Sequence, residues 1–437
     1  MKISLLRLSL AAGLLAIGLT ASSAAEAPVF TPEQIAAAVV GYPTTPIPAT
    51  YFGLHYTSRS NPTWPSSDIF GDNGTSQIKF GELRIWDTGA SWGELNAGGP
   101  GVYDWTKLDV ILDFAAAHNL DVVYCFGHTP YWAVDHFYCG SIDNKGKAHP
   151  VPATIDWSTY DNFITAIVTH AKGRIKYWEV WNEPDGKLFF NGTMADVATM
   201  ARHVREKVHA IQPQITIIGP STQGWESPVY DHLAAFLAAG GGAHVDKISF
   251  HGRLNPSFNG GNAHAENIFT LVAGLRAKTG KAEVFDTEWG WAPKQIPDPI
   301  DQANYVARQF LCRWSLGLKN NDWYSMVSNN WGGLWKPTNG LNPAGVAYAQ
   351  VYKWMVGATM SSPVTLQANK TWTVGFTRSG GYESLAVWNT GTVTTYTPDK
   401  KYIHYRDLAG NRFPVLGAVT IGASPILLET MTAVSKP

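Results

Sequence analysis

The sequence predicts a (β/α)8 barrel followed by a small antiparallel β-sandwich. Three features point there: eight short apolar runs rich in Val, Ile, Tyr, Phe and Trp, helical patterns between them, and closely spaced β-like runs without helices after Gly357. Repeated strand–helix units imply a parallel sheet covered on both faces, and eight of them over about 300 residues suit a closed barrel. A doubly wound open sheet competes with this. It loses because the first strand leads into Gly53-Leu54-His55-Tyr56 and not into a glycine-rich dinucleotide loop.

From the N-terminus, Lys2 and Arg7 precede an apolar run from Leu8 to Leu19 and the small-residue stretch Ala21-Ser22-Ser23-Ala24-Ala25. That order describes a signal peptide over residues 1–25, removed on export to a secreted or periplasmic location. The run is shorter than the roughly 20 residues of a membrane-spanning helix, so no membrane attachment is expected after cleavage. Residues 26–48 are an N-terminal segment whose stretch from Val29 to Pro48 is expected to add a strand to the sandwich. The barrel is assigned to residues 49–357, with strands at Tyr51–Thr57, Glu82–Asp87, Asp121–Gly127, Lys176–Trp181, Ile215–Gly219, Lys247–Phe250, Ala282–Phe285 and Asp322–Val327. Helices are predicted at Trp105–His118, Trp157–Ala171, Met194–Ile211, Val229–Ala239, Asn267–Thr279 and Gln302–Leu318, with Asp156 and Asp301 as N-caps of the second and the last. Residues 358–437 make the sandwich, with runs at Thr371–Phe376, Ser384–Trp388, Thr392–Tyr396, Tyr402–Tyr405 and Ala418–Ile421. Its expected role is a brace against the barrel, since a fold alone implies no binding function.

Basic and acidic residues nearly balance, 33 against 34, so no charge excess points to nucleic acid or acidic lipid. The chain carries 18 each of Trp, Tyr and Phe, several beside Gly, Pro and polar residues at strand ends. Flat rings there suit the C–H faces of sugars. Trp86, His128, Trp132, Trp225, Trp289, Trp331 and Trp335 are the candidates for lining such a cleft, with packing as the other role open to each. Of three cysteines, Cys125 and Cys139 are a possible disulfide in an exported chain, and Cys312 reads as buried packing. None has the paired spacing of a zinc site, so no metal is expected.

Two strands end on a glutamate. Lys176-Tyr177-Trp178-Glu179-Val180-Trp181 stops on Asn182-Glu183-Pro184, and Ala282-Glu283-Val284-Phe285-Asp286-Thr287 closes on Glu288-Trp289-Gly290. These are the fourth and seventh strands, so the two carboxyls face each other over the mouth, where barrels carry their chemistry. Retaining cleavage of a glycosidic bond needs two carboxyl groups about 5–5.5 Å apart, one to protonate the leaving oxygen and one to attack the anomeric carbon. Two half-exposed glutamates in salt bridges are the plainer alternative, weakened because both end matching strands. Asp286 is the rival to Glu288, with the same strand parity but a deeper position that suits pairing with a cation.

These motifs resemble the clan A glycoside hydrolases, whose fourth strand ends in Asn-Glu and whose seventh ends in the nucleophilic Glu. Within the clan the chain looks most like glycoside hydrolase family 39, which joins this barrel to a β-sandwich. Leu83-Arg84-Ile85-Trp86-Asp87, Pro100-Gly101-Val102-Tyr103-Asp104-Trp105 and Thr129-Pro130-Tyr131-Trp132-Ala133 extend the likeness, which covers residues 50–430. The resemblance implies a retaining β-glycoside hydrolase with Glu183 as acid/base and Glu288 as nucleophile, needing no cofactor. The expected partner is an extracellular or cell-wall polysaccharide or its oligosaccharides, and the expected state a monomer. An exo-acting β-xylosidase is the alternative within the family, and a catalytically inactive sugar-binding protein the alternative of another class. The resemblance further implies that Asn182 bonds the substrate's 2-hydroxyl and that Arg84 keeps the nucleophile ionised. The competing role for Arg84 is a buried ion pair with Glu179 or Asp87. His251, which closes the sixth strand, is either a substrate contact or a packed core histidine. Members of the family often carry a tyrosine two residues after that histidine, where this chain has Arg253.

Overall fold

The computed structural model describes residues 30–430 apart from 40, 58–77, 139–150, 225–226, 253–264, 281–282, 292–294, 329–330 and 337–339. The signal-peptide segment 1–25, Cys139, Trp225 and Arg253 lie outside the described residues. Eight strands close a parallel barrel in chain order: β1 (Gly53–His55), β2 (Glu82–Ile85), β3 (Asp121–Cys125), β4 (Tyr177–Glu179), β5 (Thr216–Gly224), β6 (Lys247–Gly252), β7 (Val284–Trp289) and β8 (Asn321–Trp323). Closure runs through Gly53, which pairs with Glu82 on one side and Asp322 on the other. A Cβ there would lie 2.0 Å from Asp322 Oδ1, so the close approach requires glycine.

Among the described residues, α1 (Pro32–Ala38) precedes β1, α2 (Trp92–Leu95) and α3 (Thr106–Ala117) follow β2, and one α-helix follows each later strand: α4 (Trp157–Ala171), α5 (Met194–Ile211), α6 (Ser227–Ala238), α7 (Ile268–Thr279), α8 (Pro299–Ser315) and α9 (Pro343–Met355). Asp156 caps α4 as expected, accepting from the Ser158 amide at 3.0 Å. The cap of α8 is Asp298, not Asp301: Pro299 occupies the first helical position, and Asp298 Oδ1 accepts from the amides of Ile300 and Asp301. The N-terminal stretch is also different from the strand expected. Thr31 and Gln34 form a capping box that starts α1, and the segment meets the sheet through an isolated bridge from Pro46 to Thr359 and an edge contact of Phe30 with Trp372. The eighth barrel helix, α9, follows a hairpin of β9 (Trp335–Lys336) and β10 (Gly340–Leu341) and was not foreseen, although Asn342 and Pro343 supply its cap and first turn.

The C-terminal region is antiparallel: β11 (Thr359–Leu366), β12 (Thr371–Arg378), β13 (Tyr382–Asn389), β14 (Thr394–Tyr396), β15 (His404–Arg406), β16 (Arg412–Pro414), β17 (Val419–Ile421) and β18 (Ile426–Glu429). Six strands make one sheet in the order β11-β12-β13-β18-β15-β16, while β14 and β17 form a separate pair. Val387, Ile426 and Leu428 of the sheet pack with Val419 and Ile421 in one small core. The other face of the sheet joins the main core. Trp372 stacks on Phe269 of α7 with centroids 6.1 Å apart, and Trp388 Nε1 donates to buried Glu266 Oε1 at 2.8 Å. Glu266 Oε2 in turn takes Arg308 of α8 at 2.8 Å, so one carboxylate ties sheet to barrel.

Candidate active site

Strand β4 stops at Glu179, and Asn182 and Glu183 follow it over the mouth. Glu183 is buried and takes a left-handed φ of 43°, uncommon for any residue but glycine. Glu288 reaches the same space by a register shift. Asp286 pairs with Asn321 and Trp289 with Trp323, so β7 carries one residue more than β8 between those pairs. Such a bulge re-aims side chains. Here Thr287 and Glu288 both turn inward. Thr287 Oγ1 donates to Glu179 Oε1 at 2.7 Å, and Glu288 Oε2 accepts from Arg84 Nη1 at 3.2 Å.

The bulge corrects two expectations. Asp286 does not share the orientation of Glu288; as its deeper position suggests, it pairs with a cation, Arg313 of α8 at 2.5 Å, and it accepts the Gly252 amide at 2.9 Å. Trp289 likewise faces α8 and not the cleft. Its ring lies 3.9 Å from the Arg313 guanidinium and meets Phe310 and Trp323 edge-on. Trp335 is buried in β9 and serves packing.

Arg84, fully buried on β2, fans across the floor of the site. Nε donates to Glu179 Oε2 at 2.6 Å, Nη1 to Glu288, and Nη2 to Asn182 Oδ1 at 2.8 Å and to Cys125 Sγ at 3.2 Å. The nucleophile contact and the Glu179 ion pair therefore coexist, and Asp87 is not the partner. Burial by itself would raise the Glu179 carboxyl. The Arg84 charge and the Thr287 hydrogen bond counter it, and the group is held below its ordinary value. Cys125 is a buried free thiol, pushed up first by burial. Asn182 Oδ1 accepts from Arg84, which leaves its Nδ2 as a donor for a ligand.

His251 stands between the two glutamates. Its Nδ1 lies 2.7 Å from Glu183 Oε1 and 3.9 Å from Glu288 Oε2, and its Nε2 lies 2.9 Å from Ser221 Oγ. One ligand atom each from Glu183, His251 and Glu288 falls within 4.8 Å of the others. The trio has the donor types of a metal site, but the His251–Glu183 hydrogen bond accounts for that contact, and Arg84 beside Glu288 opposes a further cation. At the ends of β2 and β3, Trp86 and His128 stack with centroids 4.6 Å apart. Trp132, half-buried on the turn Tyr131–Ala133, is pinned through Nε1 to the Asn96 carbonyl. Trp331 meets Tyr324 edge-on at 6.4 Å, and Tyr324 donates to Asp87 Oδ2 at 3.0 Å. Tyr324, Asp87 (named only as a possible partner of Arg84), Thr287 and Ser221 are not read from the sequence as site residues. The strand-end rule that found the glutamates would have found the first two.

Among solved structures, a family 39 glycoside hydrolase from the gut symbiont Bacteroides cellulosilyticus WH2 matches with a TM-score of 0.59 and 20% identity, over 80% of this chain and 75% of that one. A family 39 β-xylosidase from Caulobacter crescentus matches at 0.61 and 16% identity, over 90% and 98% of the two chains. The chain has the fold of clan A glycoside hydrolases. A family 30 endoxylanase from Clostridium papyrosolvens C71 agrees, with a TM-score of 0.59 and 14% identity over 89% of this chain and 98% of that one. No protein-family model and no curated protein matches the sequence. At these identities the likeness establishes the fold, and the chemistry is argued from the residues.

Proposed function

We propose that this chain hydrolyses a β-linked glycoside with net retention, Glu183 serving as acid/base and Glu288 as nucleophile. The observation that carries the reading is the approach of a Glu183 oxygen and a Glu288 oxygen to within 4.8 Å across the barrel mouth. So close an approach suits retaining enzymes, whose carboxyl groups lie about 5–5.5 Å apart; inverting ones leave about 6.5–9.5 Å for a water. In the first step Glu288 bonds to the anomeric carbon while Glu183 gives its proton to the departing oxygen, which keeps the electron pair of the broken bond. In the second, water attacks the same carbon, Glu183 takes its proton, and Glu288 leaves as a carboxylate. Arg84 supports the charged form of Glu288, and the amide of Asn182 offers a hydrogen bond to a neighbouring hydroxyl.

The relatives named as a β-xylosidase and an endoxylanase favour a xylose-containing glycan or its oligosaccharides as substrate. Trp86, His128, Trp132 and Trp331 are the proposed sugar-facing rings, and residues 1–25 the proposed export signal. Proton NMR of the first product formed from an aryl β-xyloside and from xylan fragments tests the mechanism: the β-anomer is expected. Azide should restore turnover to Glu288→Gly and yield the α-azide. Inverted product from the wild type would refute retention, and full turnover by Glu288→Gln would refute the nucleophile.

A further inference from the structure

Ser221 has no place in the chemistry so far, yet the chain distorts itself to bring it there. Strands β5 and β6 pair Pro220 with Ser249 and then Thr222 with Phe250, so Ser221 is an extra residue in β5. It is fully buried and held at φ 66°, in the left-handed region that a serine seldom enters. Outliers of this kind persist where the surroundings enforce them and often mark function. The bulge sets Ser221 Oγ 2.9 Å from His251 Nε2, and Arg84 Nη2 reaches the same oxygen at 3.5 Å.

The donor inventory gives this line a direction. Arginine only donates, so toward Arg84 the Ser221 oxygen accepts, and its own hydrogen is available for His251 Nε2. A neutral imidazole that accepts at Nε2 carries its hydrogen on Nδ1, which then donates to Glu183 Oε1 across 2.7 Å. We propose that Ser221 is a positioning residue that holds His251 in its Nδ1–H form, so that the transferable proton of Glu183 resides on Oε2. The opposite tautomer would accept at Nδ1 and draw that proton to Oε1, against the imidazole and away from the glycosidic oxygen. The inference rests on the acid/base role proposed for Glu183. In the first step the Oε2 proton passes to the leaving oxygen as the C–O bond breaks; in the second, water returns a proton to Oε2. His251 keeps its hydrogen throughout and changes neither charge nor tautomer.

The test is Ser221→Gly in the full chain, because glycine adopts φ 66° freely and the hydroxyl is lost without a steric burden. Nitrogen-15 spectra of histidine-labelled protein read the tautomer directly, the His251 signals being identified by their loss in His251→Asn. The wild type should show a protonated Nδ1 and a bare Nε2, and Ser221→Gly a mixed or reversed pattern. In kinetics, kcat for substrates with poor leaving groups should fall about tenfold or more, while aryl glycosides with good leaving groups stay within about twofold and KM is little changed. A protonated Nε2 in the wild type overturns the proposal. Equal losses on both substrate types, or none on either, also overturn it. A wild type that hydrolyses no glycoside refutes the function proposed above, and the nitrogen spectra then still decide the tautomer.

Discussion

A guanidinium beside Glu288 and an imidazole beside Glu183 make two identical side chains chemically unlike. Retaining hydrolysis needs that difference, because one carboxyl must give a proton while the other attacks as an anion. The roles separate experimentally. Glu183→Ala should slow glycosides with poor leaving groups by about 100-fold or more, yet spare the first step on activated aryl glycosides, which need little acid help. The glycosyl-enzyme should then accumulate and give a burst of aryl product in stopped-flow absorbance. Equal losses without a burst would make Glu183 structural. Both glutamates are legible in the sequence because Asn182-Glu183-Pro184 and Glu288-Trp289-Gly290 mark where their strands stop. Trp289 is misread for the same reason. It neighbours a catalytic candidate in sequence, but adjacent strand residues point to opposite faces, and it packs on α8. Ser221 carries no mark at all, since its contact with His251 arises from register.

At the scale of elements, periodicity fixes the helices well: the bounds expected for α4 and α5 are those observed. What periodicity cannot show is a one-residue shift between neighbouring strands, and both bulges lie beside the mouth, where they turn Glu288 and Ser221 inward. The short N-terminal helix and α9 escape the apolar pattern although their caps are readable, in Thr31-Pro32-Glu33-Gln34 and Asn342-Pro343. The start of α8 shows how such signals compete. Asp298 and Asp301 are both plausible caps in sequence, and Pro299 decides for the first by fixing the opening helical position. Asp298→Ala should therefore cost about 1 kcal/mol in urea denaturation and Asp301→Ala only a few tenths. The reverse order would place the cap at Asp301.

Across the whole molecule, the apolar core runs without a break from the barrel helices into the C-terminal sheet, and Glu266 bridges them through Trp388 and Arg308. The two regions should accordingly unfold in a single calorimetric transition. Glu266→Ala, which removes the buried acceptor shared by Trp388 and Arg308, should destabilise by about 1.5–3 kcal/mol; two separate transitions in the wild type would show the sheet to be independent of the barrel. Charge inside the barrel sets a second global property. Asp322 is fully buried in the barrel. Burial first, and the charges of Glu179, Asp286 and Glu288 against the pull of Arg84, push its carboxyl well above the ordinary range. Glu82 across Gly53 is raised in the same way, by burial and then by Asp322. An unfolded aspartate titrates near 3.9. A group whose folded value lies higher contributes its full stability below about pH 3.9 and loses it as pH rises toward the folded value. Wild-type stability should therefore carry a penalty at neutral and alkaline pH that Asp322→Asn, with no proton to lose, escapes. Urea midpoints measured at about pH 4 and about pH 8 should show the mutant gaining on the wild type as pH rises. A gap that stays constant or narrows toward pH 8 would mean that Asp322 is ionised in the folded barrel, with Arg84 supplying enough compensating charge.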